Sequence, residues 1–224
     1  MKRVRTEMKE KSMRHMIRLS LGEEIGNSIS HGAMSLILLL ILPAAAIHAF
    51  LRGGVLLATG TSVFIISIFL MFLASSLYHA MSYNTPHKYV FRILDHIFIY
   101  FAIAGSYTPI ALYAIGGLSG VLILVVQWTM VLFGILYKSI ARRSIPKISV
   151  LIYLSMGWVA LLFIPQLVRY TAPVFIWLII AGGILYTTGS FFYMQKEKPY
   201  FHFIWHLFID LAALTHFIAI VFFL

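Results

Sequence analysis

The chain has 224 residues, 61% of them apolar and only 11% charged, with a formal net charge of +10. That balance excludes an ordinary soluble domain, and because the basic residues fall in short stretches beside apolar runs it also excludes the nucleic-acid reading that +10 would otherwise invite. There is no Cys, so no disulfide and no thiolate metal site; any metal here is held by N and O ligands.

Residues 1–20 carry seven of the 17 Lys and Arg: Lys2, Arg3, Arg5, Lys9, Lys11, Arg14 and Arg18. With Val4, Met8, Met13, Met16 and Ile17 scattered among them, they predict a basic amphipathic helix lying on a membrane face. The apolar run that follows is too long for a cleavable signal peptide, and no small-residue cleavage site ends it. Ser20-Leu21-Gly22-Glu23 fits a capping box, with Glu23 and Glu24 favourable in the first turn of the helix it opens.

Residues 21–224 form the membrane domain. Seven apolar spans are predicted at roughly 27–50, 55–80, 89–113, 118–138, 148–168, 173–195 and 200–223, each near the ~20 residues a bilayer core demands. Arg52-Gly53-Gly54, the run from Met81 to His87 and Gly116-Gly117 break the apolar runs, and Thr108-Pro109 predicts a kink in the third span. The sixth carries Ala181, Gly182, Gly183, Thr187, Thr188, Gly189 and Ser190, small residues that let helices approach closely. With the N-terminus in the cytoplasm, fifteen Lys and Arg fall inside and only Arg52 and Arg169 outside. That bias predicts a seven-helix bundle with its N-terminus cytoplasmic and its C-terminus outside.

Depth follows from orientation. His79 ends the second span, Asp95 and His96 lie one to two turns into the third, and His202 and His206 occupy the first two turns of the seventh. All are predicted near the inner leaflet. His202, His206 and Asp210 stand at i, i+4 and i+8, about 6 Å of rise apart. Ionisable groups in a membrane span are expensive and need partners. Three neutral imidazoles from two helices make a normal zinc shell with a fourth position open to water, and zinc lowers the pKa of that water to about 7. Asp95 is positioned to hold or deprotonate the water; the competing reading is an ion pair with Arg92 or Lys88. Ser75, one turn before His79, offers a hydroxyl to substrate or to a ligand, or packs between helices. Asn27 and His31 either face the site or satisfy the interface. Asp210 either accepts from a ligand imidazole or bonds across helices. His48, His87 and His216 lie at the opposite face, in a loop or out of register, and are read as structural.

Glu23-Glu24-Ile25-Gly26-Asn27-Ser28-Ile29-Ser30-His31-Gly32, Ser75-Ser76-Leu77-Tyr78-His79, Leu94-Asp95-His96, Ala104-Gly105-Ser106-Tyr107-Thr108-Pro109 and His202-x3-His206 follow one another in that order. Together they resemble the motifs of the bacterial hemolysin III proteins, over nearly the full length after residue 20. Those proteins belong to the progestin and adipoQ receptor family, which includes the adiponectin receptors, and the wider superfamily contains alkaline ceramidases. The resemblance implies a seven-helix protein of the bacterial plasma membrane with zinc on His79, His202 and His206, and with Asp95 and Ser75 beside the bound water. Members of known chemistry hydrolyse amide bonds of ceramide-like lipids. The large appendages of the animal receptors are absent here, so hormone recognition does not transfer.

Three functions are therefore weighed. The first is an intramembrane hydrolase that uses zinc-activated water on a lipid amide or ester. The second is a sensor or regulator of the membrane in which zinc clamps the bundle. The third is a cytolysin, which ranks last because a secreted pore former must first be soluble and seven apolar spans are not.

Overall fold

The computed structural model describes residues 18–140 and 145–224, and it is all-helical, with no strand among those residues. Most of the amphipathic segment expected over 1–20, and Arg142 and Arg143 of the inside loop, lie outside the described residues. Among the described residues six helices are long and apolar enough to cross a membrane: α1 (Leu21–Ala80), α2 (Pro86–Ile115), α3 (Gly117–Ile140), α4 (Pro146–Tyr170), α5 (Pro173–Met194) and α6 (Phe201–Phe223).

The capping box forms as the sequence predicts. Glu23 N–H donates to Ser20 Oγ at 3.3 Å, and Ser20 N–H donates to Glu23 Oε2 at 3.0 Å. The 60 residues of α1 would measure about 90 Å if straight, three times a bilayer core. They are not straight. Gly53 and Gly54 leave helical geometry, Gly54 with φ 65°, a conformation that side chains resist. The chain doubles back there: Ser28 Oγ donates to Ser76 O at 3.1 Å, and Ser76 Oγ donates to Ser28 O at 2.8 Å. Residues 21–52 and 55–80 are thus antiparallel arms, each covering one predicted span.

At the other breaks the backbone finds partners, as a bilayer requires. Pro109 has no N–H and Thr108 Oγ1 donates back to Ala104 O at 2.9 Å; beyond them α2 widens into a π-helix over Ile110–Ile115. The kink predicted at Thr108-Pro109 takes this form. In α4 a 3₁₀ stretch, Val159–Phe163, precedes Pro165. Tyr107 braces it, its hydroxyl donating to Gly157 O at 2.6 Å and accepting from Ala160 N–H at 2.7 Å. The small residues of α5 act as expected: Gly182 lies against His216, and Gly189 against Phe208 and Trp205 of α6.

The core is built where the second arm of α1 meets α2 and α6, around Phe64, Ile65, Ile68, Phe72, Ala102, Phe217 and Ile220. The other face of the helices shows Leu36, Leu40, Leu122, Leu132, Leu151 and Trp177 to the surroundings, an apolar surface suited to lipid. Gly60 fixes one close approach, since a Cβ there would stand 2.5 Å from Pro109 Cα. Backbone cannot move aside as a side-chain tip can, so Gly60→Ala is expected to lower unfolding free energy in detergent by about 1–3 kcal/mol. Gly157→Ala, whose Cβ meets nothing within 4 Å, is the matched control.

Candidate metal centre

At one end of the bundle α1 begins, its second arm finishes, and α6 starts. Leu19 N–H donates to Tyr83 Oη at 2.8 Å and Tyr200 N–H donates to Glu23 Oε1 at 2.7 Å, drawing these termini together. His79 therefore meets the first two turns of α6. Its Nε2 lies 3.4 Å from His202 Nε2, which in turn lies 3.2 Å from His206 Nε2. All three rings are buried, and their donor atoms lie within 4.8 Å of one another. Neutral imidazole has one N–H and one lone pair, so three nitrogens at this spacing cannot all be satisfied by each other's protons. A single cation satisfies them together, and this cluster could hold a metal ion.

The tautomer of His79 is set from behind. Its Nδ1 is 2.5 Å from Glu24 Oε2 and 3.5 Å from Asn27 Nδ2. A carboxylate only accepts, so Nδ1 carries the proton and Nε2 keeps its lone pair for the cluster. The other oxygen of Glu24 accepts from Lys88 Nζ at 2.8 Å. Lys88 is fully buried, donates to Met81 O at 3.0 Å and stands 4.2 Å from the Tyr83 ring centroid. The buried charges are thus paired and hydrogen-bonded, the condition under which burial is tolerable.

Aromatic rings hold the other two ligands. His31 stacks on His206 with centroids 3.9 Å apart, and Trp205 stands edge-on to both His202 and His206 at 4.9 Å. The Nδ1 atoms of His202 and His206 have no hydrogen-bond partner among the described residues.

Ser75, Asp95 and His31, which stacks on His206, line one end of a cavity of about 160 Å³, well above the 10–15 Å³ that one water needs. Ser75 Oγ faces the Asp95 carboxyl but makes no hydrogen bond of good geometry. The ion pairs weighed for Asp95 are not formed: Lys88 is engaged by Glu24, no salt bridge joins Asp95 to Arg92, and its nearest ionisable neighbour is His96 Nδ1 at 3.6 Å. Away from Asp95 the cavity is mainly apolar, with Phe64, Met71, Ile99, Ile103, Leu167 and Ile176 on its walls. It reaches Ile110, about 22 Å along α2, more than the ~15 Å depth of one leaflet's hydrocarbon.

The remaining candidates are also placed. Asn27 and His31 face the cluster. Asp210 does not reach a ligand ring; its Oδ1 lies 3.6 Å from His31 Nε2. Eight residues at 100° each turn it about 80° from His202, toward the first arm of α1. His48 packs on Phe222, His87 is exposed, and His216 Nε2 lies 3.2 Å from Ile179 O on the cavity wall. Glu24 and Lys88 were missed. Glu24, Asn27 and His31 fall at helical spacings of three and four, one buried polar stripe on an apolar helix, and that spacing was the available signal. Outside the spans, burial and the neighbouring Arg92 guanidinium push Lys196 down to about 8.

The family model described as "Haemolysin-III related" matches residues 19–217. "Hemolysin-3" of Bacillus cereus is 35% identical over 201 residues, covering 90% of this chain and 91% of that protein. "Hemolysin-3 homolog" of Bacillus subtilis (strain 168) is 33% identical over 201 residues, 90% of this chain and 94% of that one. Human "Monocyte to macrophage differentiation factor" is 28% identical over 156 residues, 67% of this chain and 64% of its own, so the relationship extends to animals, as the wider family requires. No solved structure matches. With its motifs, its apolar helices and near full-length relatives in agreement, the chain belongs to the haemolysin-III related family of membrane proteins.

Proposed function

We propose that this protein is a zinc-dependent hydrolase of the bacterial plasma membrane that cleaves an amide or ester bond of a membrane lipid. The two arms of α1 and the five later helices give seven crossings, with the N-terminus cytoplasmic and the C-terminus outside; the positive-inside bias supports this orientation. The observation that carries the reading is the convergence of three buried Nε2 atoms, with His31, stacked on His206, reaching from that cluster into an apolar cavity lined by Ser75 and Asp95. Zinc suits the donor set. Tetrahedral ligands at Zn–N of 2.0–2.1 Å stand about 3.3 Å apart; two of the three separations here are 3.4 and 3.2 Å, and all three atoms lie within 4.8 Å of one another. When bound, zinc acts as a Lewis acid and brings the pKa of coordinated water to about 7.

The chain's own residues do the rest. Glu24 fixes the His79 tautomer. The cavity wall takes an acyl chain and places its carbonyl at Ser75 and Asp95. The Asp95 carboxylate accepts a proton from the attacking water and returns it to the leaving nitrogen or oxygen, so that lipid and water become a carboxylic acid and an amine or alcohol. Ser75 Oγ–H is placed to donate to the carbonyl oxygen as charge develops on it.

The test uses purified, zinc-loaded protein in nanodiscs with a panel of N-acylated and O-acylated lipids. Asp95→Asn is expected to lower turnover by about 10²–10⁴ with zinc content unchanged. Wild type that makes no product above this variant overturns the hydrolase, and favours a zinc that clamps α1 to α6 in a membrane sensor.

A further inference from the structure

Three cations from three elements gather at the Asp95 end of the cavity. Lys196 follows α5, Arg92 stands one turn before Asp95 on α2, and Lys138 lies in the last turn of α3. Lys196 Nζ donates to Tyr193 Oη at 3.2 Å and stands 4.3 Å from that ring's centroid. Tyr193 Oη is 3.4 Å from His96 Nε2. From the other side, Lys138 Nζ is 5.9 Å from the Tyr153 ring centroid, and Tyr153 Oη donates to His96 O at 3.0 Å. Both tyrosines line the cavity, so the two ammonium groups stand behind its rim.

These are not ordinary loop charges. Lys138 is buried and held by Ser149 Oγ at 2.7 Å; Lys196 is half-buried and turned inward. Lys198, two residues on, is exposed and bonds Gln195 Oε1 at 2.7 Å, as an orientation signal would. Counter-charge is short. Among the described acids, Glu23 is taken by Ser20 and Tyr200, Glu24 by His79 and Lys88, and Asp210 lies at His31. Asp95 and the exposed Glu197 remain to face Arg92 and Lys196, and burial together with the Arg92 charge lowers Lys196. Like charges held together in a half-dry site favour an anion between them. A phosphate group offers three acceptor oxygens and up to two charges.

Resting on the reading of the cavity as a lipid site, we propose that this cationic rim seats the phosphate of an acidic lipid whose acyl chain fills the cavity. The substrate class is then a phosphate-bearing lipid, not a neutral one. The full chain in phosphatidylcholine nanodiscs tests this by calorimetric titration with dihexanoyl phosphatidic acid, dihexanoyl glycerol and inorganic phosphate. The phosphatidic acid is expected to bind at least about tenfold tighter than the glycerolipid, and an Arg92→Gln/Lys196→Gln double variant to lose at least about tenfold of that affinity. Lys198→Gln should stay within about twofold, as a screened surface charge. Unchanged zinc content and glycerolipid affinity in the double variant show that it is folded. Equal affinity for the two lipids, or an unaffected double variant, overturns the proposal; inorganic phosphate binding as tightly as the phospholipid overturns the lipid part of it. Because the readout is binding, Asp95→Asn protein can be titrated too, and the head-group site then stands or falls apart from hydrolysis.

Discussion

Replacing His206 with Ala is expected to empty the metal centre, with zinc falling from about one per purified chain to under about a tenth. His206 is wholly buried and its Nε2 is 3.2 Å from that of His202, so its loss leaves two imidazoles where three converged. Loss of a group that merely supports a ligand already costs about 10–100-fold in affinity; loss of the ligand itself costs more. His31 is no substitute. It lies flat against His206, 3.9 Å between centroids, and its Nε2 is nearest Asp210. The control is His216→Ala, which removes a ring that meets Ile179 O and should leave zinc in place. Elemental analysis of both variants, after equal dialysis, decides the matter; a His206→Ala protein that keeps its zinc removes the basis for a centre on these three residues.

The largest effect on stability is expected from Lys88→Met. Lys88 is fully buried and pairs with Glu24 at 2.8 Å. Methionine fills much of the same space but leaves the Glu24 carboxylate without its cation, a loss of about 3–5 kcal/mol for a broken buried pair. Adding Glu24→Gln removes the stranded charge, and the double variant should regain most of that stability. It should not regain the metal. Gln no longer supplies a carboxylate to His79 Nδ1, so zinc affinity by chelator competition should remain about 10–100-fold below wild type. Unfolding curves and zinc titrations on the single and double variants thus separate what the pair does for the fold from what Glu24 does for the ligand. Lys88→Met protein that unfolds with wild type would show the pair to be dispensable.

Much of the bundle was legible beforehand because a bilayer imposes one-dimensional rules. Span length, the break at Gly53-Gly54, the cap at Ser20 and the irregularity after Pro109 all follow from local chemistry. The i, i+4 spacing of His202 and His206 was equally readable, since one helix carries both. What needed the third dimension was pairing between arms. Glu24 read as a favourable first-turn carboxylate, and the return of the chain to Ser28 and Ser76 shows that it lies under His79. The face shared by His202 and His206 did not extend to Asp210, because a straight helix drifts 40° with every four residues.

The three histidines of the candidate centre come from distant parts of the chain: His79 and His202 are 123 positions apart. Synthesis delivers the first arm of α1 with Glu24 at its edge long before Lys88 arrives to neutralise it, and α6 follows only after α2 to α5. The cluster can therefore close only after all the helices between its first ring and its last have been made. The three-histidine cluster is then a mark of long-range assembly, since a product cut short before His202 carries just one of its rings.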